Sequence, residues 1–301
     1  MKINTNVNAM YATNNMNKNT ALAGSSMQKL ASGLRINTAA DDAAGLAVSE
    51  KMRAQIRGME QGERNVQDGI SLVQVAEGAL AEAGEMVQRM RELGVQAGNS
   101  TLNETDRANI EVEISQLSEE LVKIAEETTF NGQSLFGKDA NFTVQVGANA
   151  EVRAINTIDL KEILTKQYDT GLKDDAGDAI ENSIFGPDVT YDPDTGEIED
   201  GKIDLGDIDK AQQFTGAATA VLEEITTARA KLGAQQNRLE ATASNLATSI
   251  ENMTEAESRI RDVDVAKEMT NLAKLNLLTQ TSQAMVGQAK SQPEGIVQLL
   301  R

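Results

Sequence analysis

The chain has 301 residues, a net charge of -18, neither Cys, His nor Trp, and only 3 % aromatic side chains. The acidity excludes nucleic acid as a partner. The missing residues exclude disulfides, a His general base, a Cys nucleophile and the zinc sites that need either, and no cofactor or metal site is expected.

With so few rings, burial must come from Leu, Ile, Val, Met and Ala, which suits thin helical bundles. The length leaves room for about two domains. No run approaches the roughly 20 apolar residues of a membrane helix, so no membrane insertion is expected. The Asn-rich start lacks the apolar core of a secretory signal peptide. Cytoplasmic residence and export without a cleaved signal both fit that start.

In chain order, residues 1–40 show broken helical spacing. Ile3, Val7 and Met10 are followed only later by Met27, Leu30 and Leu34, with Asn14, Asn15, Asn17 and Asn19 between. Such a helix is marginal alone. The segment holds Lys2, Lys18, Lys29 and Arg35 and no acid. Residues 43–98 read as one long helix, opened by Asp41-Asp42 at the positive end of its dipole. Met52, Met59, Val66, Val73, Leu80 and Val87 recur every seven residues along it. Its glycines, Gly58, Gly62, Gly69, Gly78 and Gly84, each cost roughly 0.5–1 kcal/mol relative to Ala. They imply closely packed partners.

After a turn at Asn99-Ser100 comes a third helix, with Ile110, Ile114, Leu117, Leu121 and Ile124 on one face and Asn103 or Thr105 as its cap. Its acids Glu119-Glu120 and Glu126-Glu127 read as solvated. Phe130-Asn131-Gly132 is a turn signal, and Phe142, Val144 and Val146 alternate as in a short strand. Residues 150–210 read as short strands and turns. Within them, 159–210 carry sixteen acids against five bases. Tyr191-Asp192-Pro193-Asp194-Thr195-Gly196 is a tight turn rather than a calcium loop, because its Gly falls one place early.

The last helix starts near Ala211 and runs without Pro to Gln292. Ile225, Leu232, Leu239, Leu246, Met253 and Ile260 form a second seven-residue ladder. Val265, Leu272, Leu275, Val286, Ile296 and Leu300 continue an apolar face beyond it.

A sustained seven-residue repeat demands a partner helix, and each ladder meets that need for the other. The expected fold is therefore mainly α: an elongated antiparallel bundle or coiled-coil rod built from both chain ends, with a small β-hairpin region and a short variable insert. Residues 41–158 and 211–264 make the rod, and 159–210 an acidic surface region. Residues 1–40 and 265–301 form a terminal coiled coil, disordered in the lone chain and ordered when partners cover its apolar face. Ile3, Val7, Leu30, Leu34, Leu272, Leu275 and Leu300 are its expected assembly contacts.

The motifs Leu30-Ala31-Ser32-Gly33-Leu34-Arg35-Ile36-Asn37 and Asp41-Asp42-Ala43-Ala44-Gly45-Leu46-Ala47-Val48-Ser49-Glu50-Lys51-Met52-Arg53-Ala54-Gln55-Ile56-Arg57-Gly58 closely resemble the N-terminal signature of bacterial flagellins. Phe130-Asn131-Gly132, Gln236-Asn237-Arg238-Leu239, Ser258-Arg259-Ile260 and the closing Leu299-Leu300-Arg301 match as well. The resemblance covers roughly residues 1–147 and 211–301.

It implies a non-enzymatic structural subunit that polymerises into the extracellular flagellar filament. Export would run unfolded through a flagellum-specific type III channel, with assembly at the distal tip under a cap protein. The implied partners are further copies of the chain, the cap, junction proteins and an export chaperone. The vertebrate flagellin-sensing Toll-like receptor joins them, and the family match assigns Arg89, Leu93 and Glu113 as its contacts. A metallopeptidase insert, present in some flagellins, needs His and is excluded. The hook–filament junction protein, whose ends are related, is the alternative reading.

Overall fold

The computed structural model describes residues 6–137, 141–149, 151–157, 159–166, 168–173, 179–182, 190–191, 198–199 and 205–299. Helix α1 spans Val7–Ser32, α2 Ala43–Ala97, α3 Glu104–Glu127, α4 Leu160–Thr165, α5 Ile208–Arg261 and α6 Val265–Leu299. Four antiparallel two-stranded hairpins lie among them. They are β1 Thr129–Phe130 with β2 Gln133–Ser134, β3 Asn141–Gln145 with β4 Val152–Asn156, β5 Tyr168–Lys173 with β6 Ala179–Asn182, and β7 Thr190–Tyr191 with β8 Ile198–Glu199. The chain divides into two compact units: residues up to Arg57 with those from Thr248 onward, and Gly58–Ala247.

In the Gly58–Ala247 unit, the 3/4 spacing of apolar residues becomes one core. Val66, Val73, Leu80 and Val87 of α2 are sealed from solvent together with Ile110, Ile114 and Leu121 of α3 and Val221, Ile225 and Leu232 of α5. Each such side chain contributes about 1.5–3 kcal/mol by leaving water. The direction of packing is read from the glycines. Gly69 meets Leu239, Gly84 meets Ile225 and Gly94 meets Phe214. One number rises as the other falls, so α2 and α5 run antiparallel, as the ladders predict.

The β3–β4 hairpin presses on the same helix. A Cβ at Gly62 would stand 2.5 Å from the backbone oxygen of Val146, and one at Gly58 2.5 Å from the Cβ of Ala148. Here glycine is required by close approach. At Gly78 a Cβ would meet nothing within 4 Å, so the expectation of close partners does not hold there. Phe142, Val144 and Ile155 turn the hairpin's apolar side toward the core.

α3 starts at Asn103, whose backbone N–H donates to the Asp106 carboxylate at 3.2 Å. Asn103, not Thr105, is therefore the cap. The Phe130-Asn131-Gly132 turn forms as expected, with Asn131 and Gly132 at φ 51° and 78° closing β1 onto β2, the geometry that favours Asn-Gly. One short helix, α4, was not legible in the sequence. Asp159 caps it by accepting from the Glu162 N–H at 3.1 Å, and Leu160 and Leu164, one turn apart, are buried. The acidic turn expected at 191–196 lies largely outside the described residues, as do Ile3 and Leu300.

In the other unit one expectation is corrected, that of a single C-terminal helix. The Asn-rich N-terminal segment forms an unbroken helix, α1, capped by Asn6, whose side chain accepts from the Ala9 N–H at 3.0 Å. The expected single C-terminal helix is two, α5 and α6, broken at Asp262–Asp264, and α6 continues past Gln292. Neither Gly nor Pro marks the break. It arises because the Val263 N–H donates to the Gly33 carbonyl at 3.0 Å and the Arg35 N–H to the Arg261 carbonyl at 2.6 Å. The Asp264 side chain then caps α6 by accepting from the Lys267 N–H at 3.1 Å.

Candidate functional site

The terminal pair is the first candidate surface. α1 and α6 pack side by side. Asn6 Nδ2 donates to the Ala289 carbonyl at 2.6 Å, Asn19 to Ser282 Oγ at 3.5 Å, and the Ser26 hydroxyl to the Glu268 carboxylate. These bonds fix an antiparallel register. The pairing buries little: among the described residues of the two helices only Ser26 and Leu275 are closed to solvent.

Val7, Met10, Tyr11, Leu22 and Met27 on α1 and Val265, Met269, Leu277, Leu278 and Met285 on α6 are at least 40 % exposed, up to 66 % at Tyr11. So dense a set of exposed apolar groups on one helix pair is the mark of an interaction surface. Of the expected terminal contacts, Val7 is exposed, Leu30, Leu34 and Leu272 are half-buried, and Leu275 is buried.

α1 closes at Gly33, which takes the left-handed conformation at φ 73° that ends helices. Leu34 then pairs with Asp262 as a two-residue antiparallel bridge. Side chains tie the crossing further. Arg35 donates to the Ile260 carbonyl. Arg261 Nη1 donates to Glu50 Oε1 at 2.6 Å. That hydrogen bond and its positive charge hold the Glu50 carboxyl below the ordinary range. Asp41 is also held low, because the Thr38 and Asn37 backbone N–H groups donate to it. Asp42 caps α2 by accepting from the Gly45 N–H at 2.9 Å.

This clasp of Gly33, Leu34, Arg35, Glu50, Arg261 and Val263 escapes a reading by periodicity. Its residues lie inside motifs visible in the sequence, but backbone bonds between chain ends leave no spacing to detect.

Along the two seven-residue ladders, Val66, Val73, Leu80, Val87, Ile225, Leu232 and Leu239 share one core, with Leu246 packed at its margin. Met52, Met59, Met253 and Ile260 are only half-buried and stand outside that cluster.

The expected receptor residues separate. Arg89 and Glu113 are exposed and paired across α2 and α3, with Nη2 to Oε1 at 2.9 Å, and Arg89 also reaches Glu92 at 3.4 Å. Glu113 chiefly raises the Arg89 pKa. Leu93 is 2 % exposed and belongs to the core.

Among the described residues no group of three or more acidic side chains is placed to hold a metal ion. No described helix is long and apolar enough to cross a membrane.

The bacterial flagellin N-terminal helical region matches residues 3–141, and the bacterial flagellin C-terminal helical region matches residues 215–300. Flagellin of Bacillus subtilis (strain 168) is 44 % identical over 319 aligned residues, covering 100 % of both chains. Flagellin of Halalkalibacterium halodurans is 45 % identical over 301, again covering 100 % of both. The solved structure of a putative flagellar hook-associated protein from Vibrio parahaemolyticus has a TM-score of 0.54, covering 74 % of this chain and 100 % of that one, at 12 % identity. That is a likeness of fold alone. With both halves matched and relatives aligned from end to end, the chain belongs to the bacterial flagellin family.

Proposed function

We propose that this chain is the structural subunit of a bacterial flagellar filament. The observation that carries the reading is the α1–α6 pair, a long helical surface with ten large apolar side chains exposed, on a chain alignable throughout with flagellins. Neighbouring copies bury that surface. Contacts between unlike surfaces of identical copies do not close, so they extend into an open helical polymer. The test is electron microscopy of the purified chain with filament seeds: long filaments are expected, and discrete particles alone would refute the reading. The hook-associated likeness supports only the shared fold. Recovery of the chain as the most abundant protein of a sheared extracellular fraction separates filament from junction protein.

The finer reading follows from the same features. Residues 1–40 and 265–301 gain their lasting order in the filament, because the pair buries too little to hold itself. The other helical segments, 41–158 and 211–264, form the outer layer around them. Residues 159–210, with sixteen acids against five bases, face solvent, where like charge keeps filaments apart. The chain leaves the cell unfolded, guarded by an export chaperone, and is added at the tip beneath the cap.

Arg89 and Glu113 serve the Toll-like receptor in the free subunit, on the support of their exposure and pairing and the family resemblance. An exposed Arg suits a binding hot spot. Arg89→Ala is expected to abolish receptor signalling while filaments still form; loss of assembly with intact signalling would assign the patch to subunit packing instead.

A further inference from the structure

Four of the exposed apolar residues on the α1–α6 pair are Met: Met10, Met27, Met269 and Met285, each 54–58 % exposed. The register bonds Asn6–Ala289 and Ser26–Glu268 place Met10 level with Met285 and Met27 within one turn of Met269. The four thioethers thus lie at two levels, one toward each end of the helix pair. Met285 lines a groove of about 410 Å³ with Tyr11, Asn8 and Leu278. Met90, by contrast, is sealed at 0 % in the core of the other unit. With no Cys in the chain, methionines hold its only sulfur. Unbranched and polarizable, Met fills irregular contacts well, which suits a surface meeting several neighbours. The same sulfur is open to oxidation whenever the surface is uncovered.

We propose that Met10, Met27, Met269 and Met285 make a peroxide-sensitive gate on assembly, acting in the subunit before it joins the filament. The inference rests on the filament reading above. A thioether lone pair attacks one oxygen of a hydroperoxide, the O–O bond breaks, and an S=O bond forms. The departing oxygen leaves as water or an alcohol after taking up the proton. Sulfur is oxidised by two electrons and the peroxide reduced by two. The product carries a strong hydrogen-bond acceptor where an apolar group stood. Burying it against a neighbour without a donor is unfavourable, so oxidised subunits stay out of the polymer. In the filament the same sulfurs are covered, so assembly protects them.

Hydrogen peroxide applied to the unassembled full chain, followed by peptide mass mapping, tests the first half. Met10, Met27, Met269 and Met285 are expected to gain one oxygen each before Met90, and to react more slowly in filaments. Seeded polymerisation of the treated chain tests the second half. The critical concentration is expected to rise about tenfold or more, since losing the burial of even one Met reaches that size. Methionine sulfoxide reductase should restore the untreated value.

The M10L/M27L/M269L/M285L variant is compared only with itself, with and without peroxide, and is expected to show no change. Equal polymerisation of oxidised and untreated chains, no recovery with the reductase, or a Leu variant as peroxide-sensitive as the parent would each overturn the gate. If the untreated chain never polymerises, the filament reading falls first and the gate with it.

Discussion

The α1–α6 pair and the Gly58–Ala247 core both use long helices, to opposite ends. In the core, ladder residues such as Val66, Leu80 and Ile225 are closed off by their own chain. In the pair, Tyr11, Leu277 and Met285 stay open to solvent. The difference lies in the number of partners. α2 is covered by α3, α5 and the β3–β4 hairpin, whereas α1 is met by α6 over only one side. A helix needs a wide apolar stripe covered to persist. One region thus closes its apolar face within the chain, and the other leaves much of it open.

The strongest way to break that contrast is truncation. Removing residues 1–30 or 270–301 is expected to abolish filaments entirely while the remainder still melts cooperatively by circular dichroism; filaments from either truncation would erase the distinction. Next in size is Leu80→Ala, which opens a void at a fully buried position. It should destabilise the chain by about 2–5 kcal/mol in urea unfolding. A smaller loss, about 1–3 kcal/mol, is expected for Gly62→Ala, whose Cβ would strike the Val146 carbonyl. Its mark is faster amide exchange confined to the β3–β4 hairpin.

Leu277→Ser is the sharpest probe of the pair. At 64 % exposed, it should change the unfolding free energy of the lone chain by less than about 0.5 kcal/mol, yet raise the critical concentration for polymerisation. A large effect on the lone chain would place Leu277 in an ordinary core.

The smallest effect concerns the clasp. Arg261 holds Glu50 below the ordinary carboxyl range, so the unfolded chain binds this proton more readily than the native one. The stabilisation is complete above the unfolded pKa and fades as the pH falls through the lower native value. Thermal melts of parent and Glu50→Gln should differ slightly at neutral pH and converge in acid. A gap that stays constant across the carboxyl range would deny the pair any role.

Much of this was legible in the sequence, and some of it was not. The Leu80 and Ile225 ladders announced paired helices because a buried stripe along a helix leaves a fixed period. The glycines of α2 announced close neighbours for the same reason, correctly at Gly62 and not at Gly78. Family likeness assigned Leu93 to the receptor, and in this chain its 3/4 spacing with Met90 and Ala97 puts it inside. The continuity of α1 was hidden by its Asn residues. Propensity weighs them against a helix, and only α6, with its cross-helix hydrogen bonds, offsets that cost.

Patterning in the sequence by itself decided that this is a helical protein and that its two halves must meet. Those properties depend on the type and spacing of side chains, which a sequence states outright. Tertiary structure alone decided the break at Asp262–Asp264, the clasp between Gly33 and Val263, and the levels at which the exposed methionines lie. These arise from backbone groups and helix register between opposite ends of the chain, where no local pattern records which residue faces which.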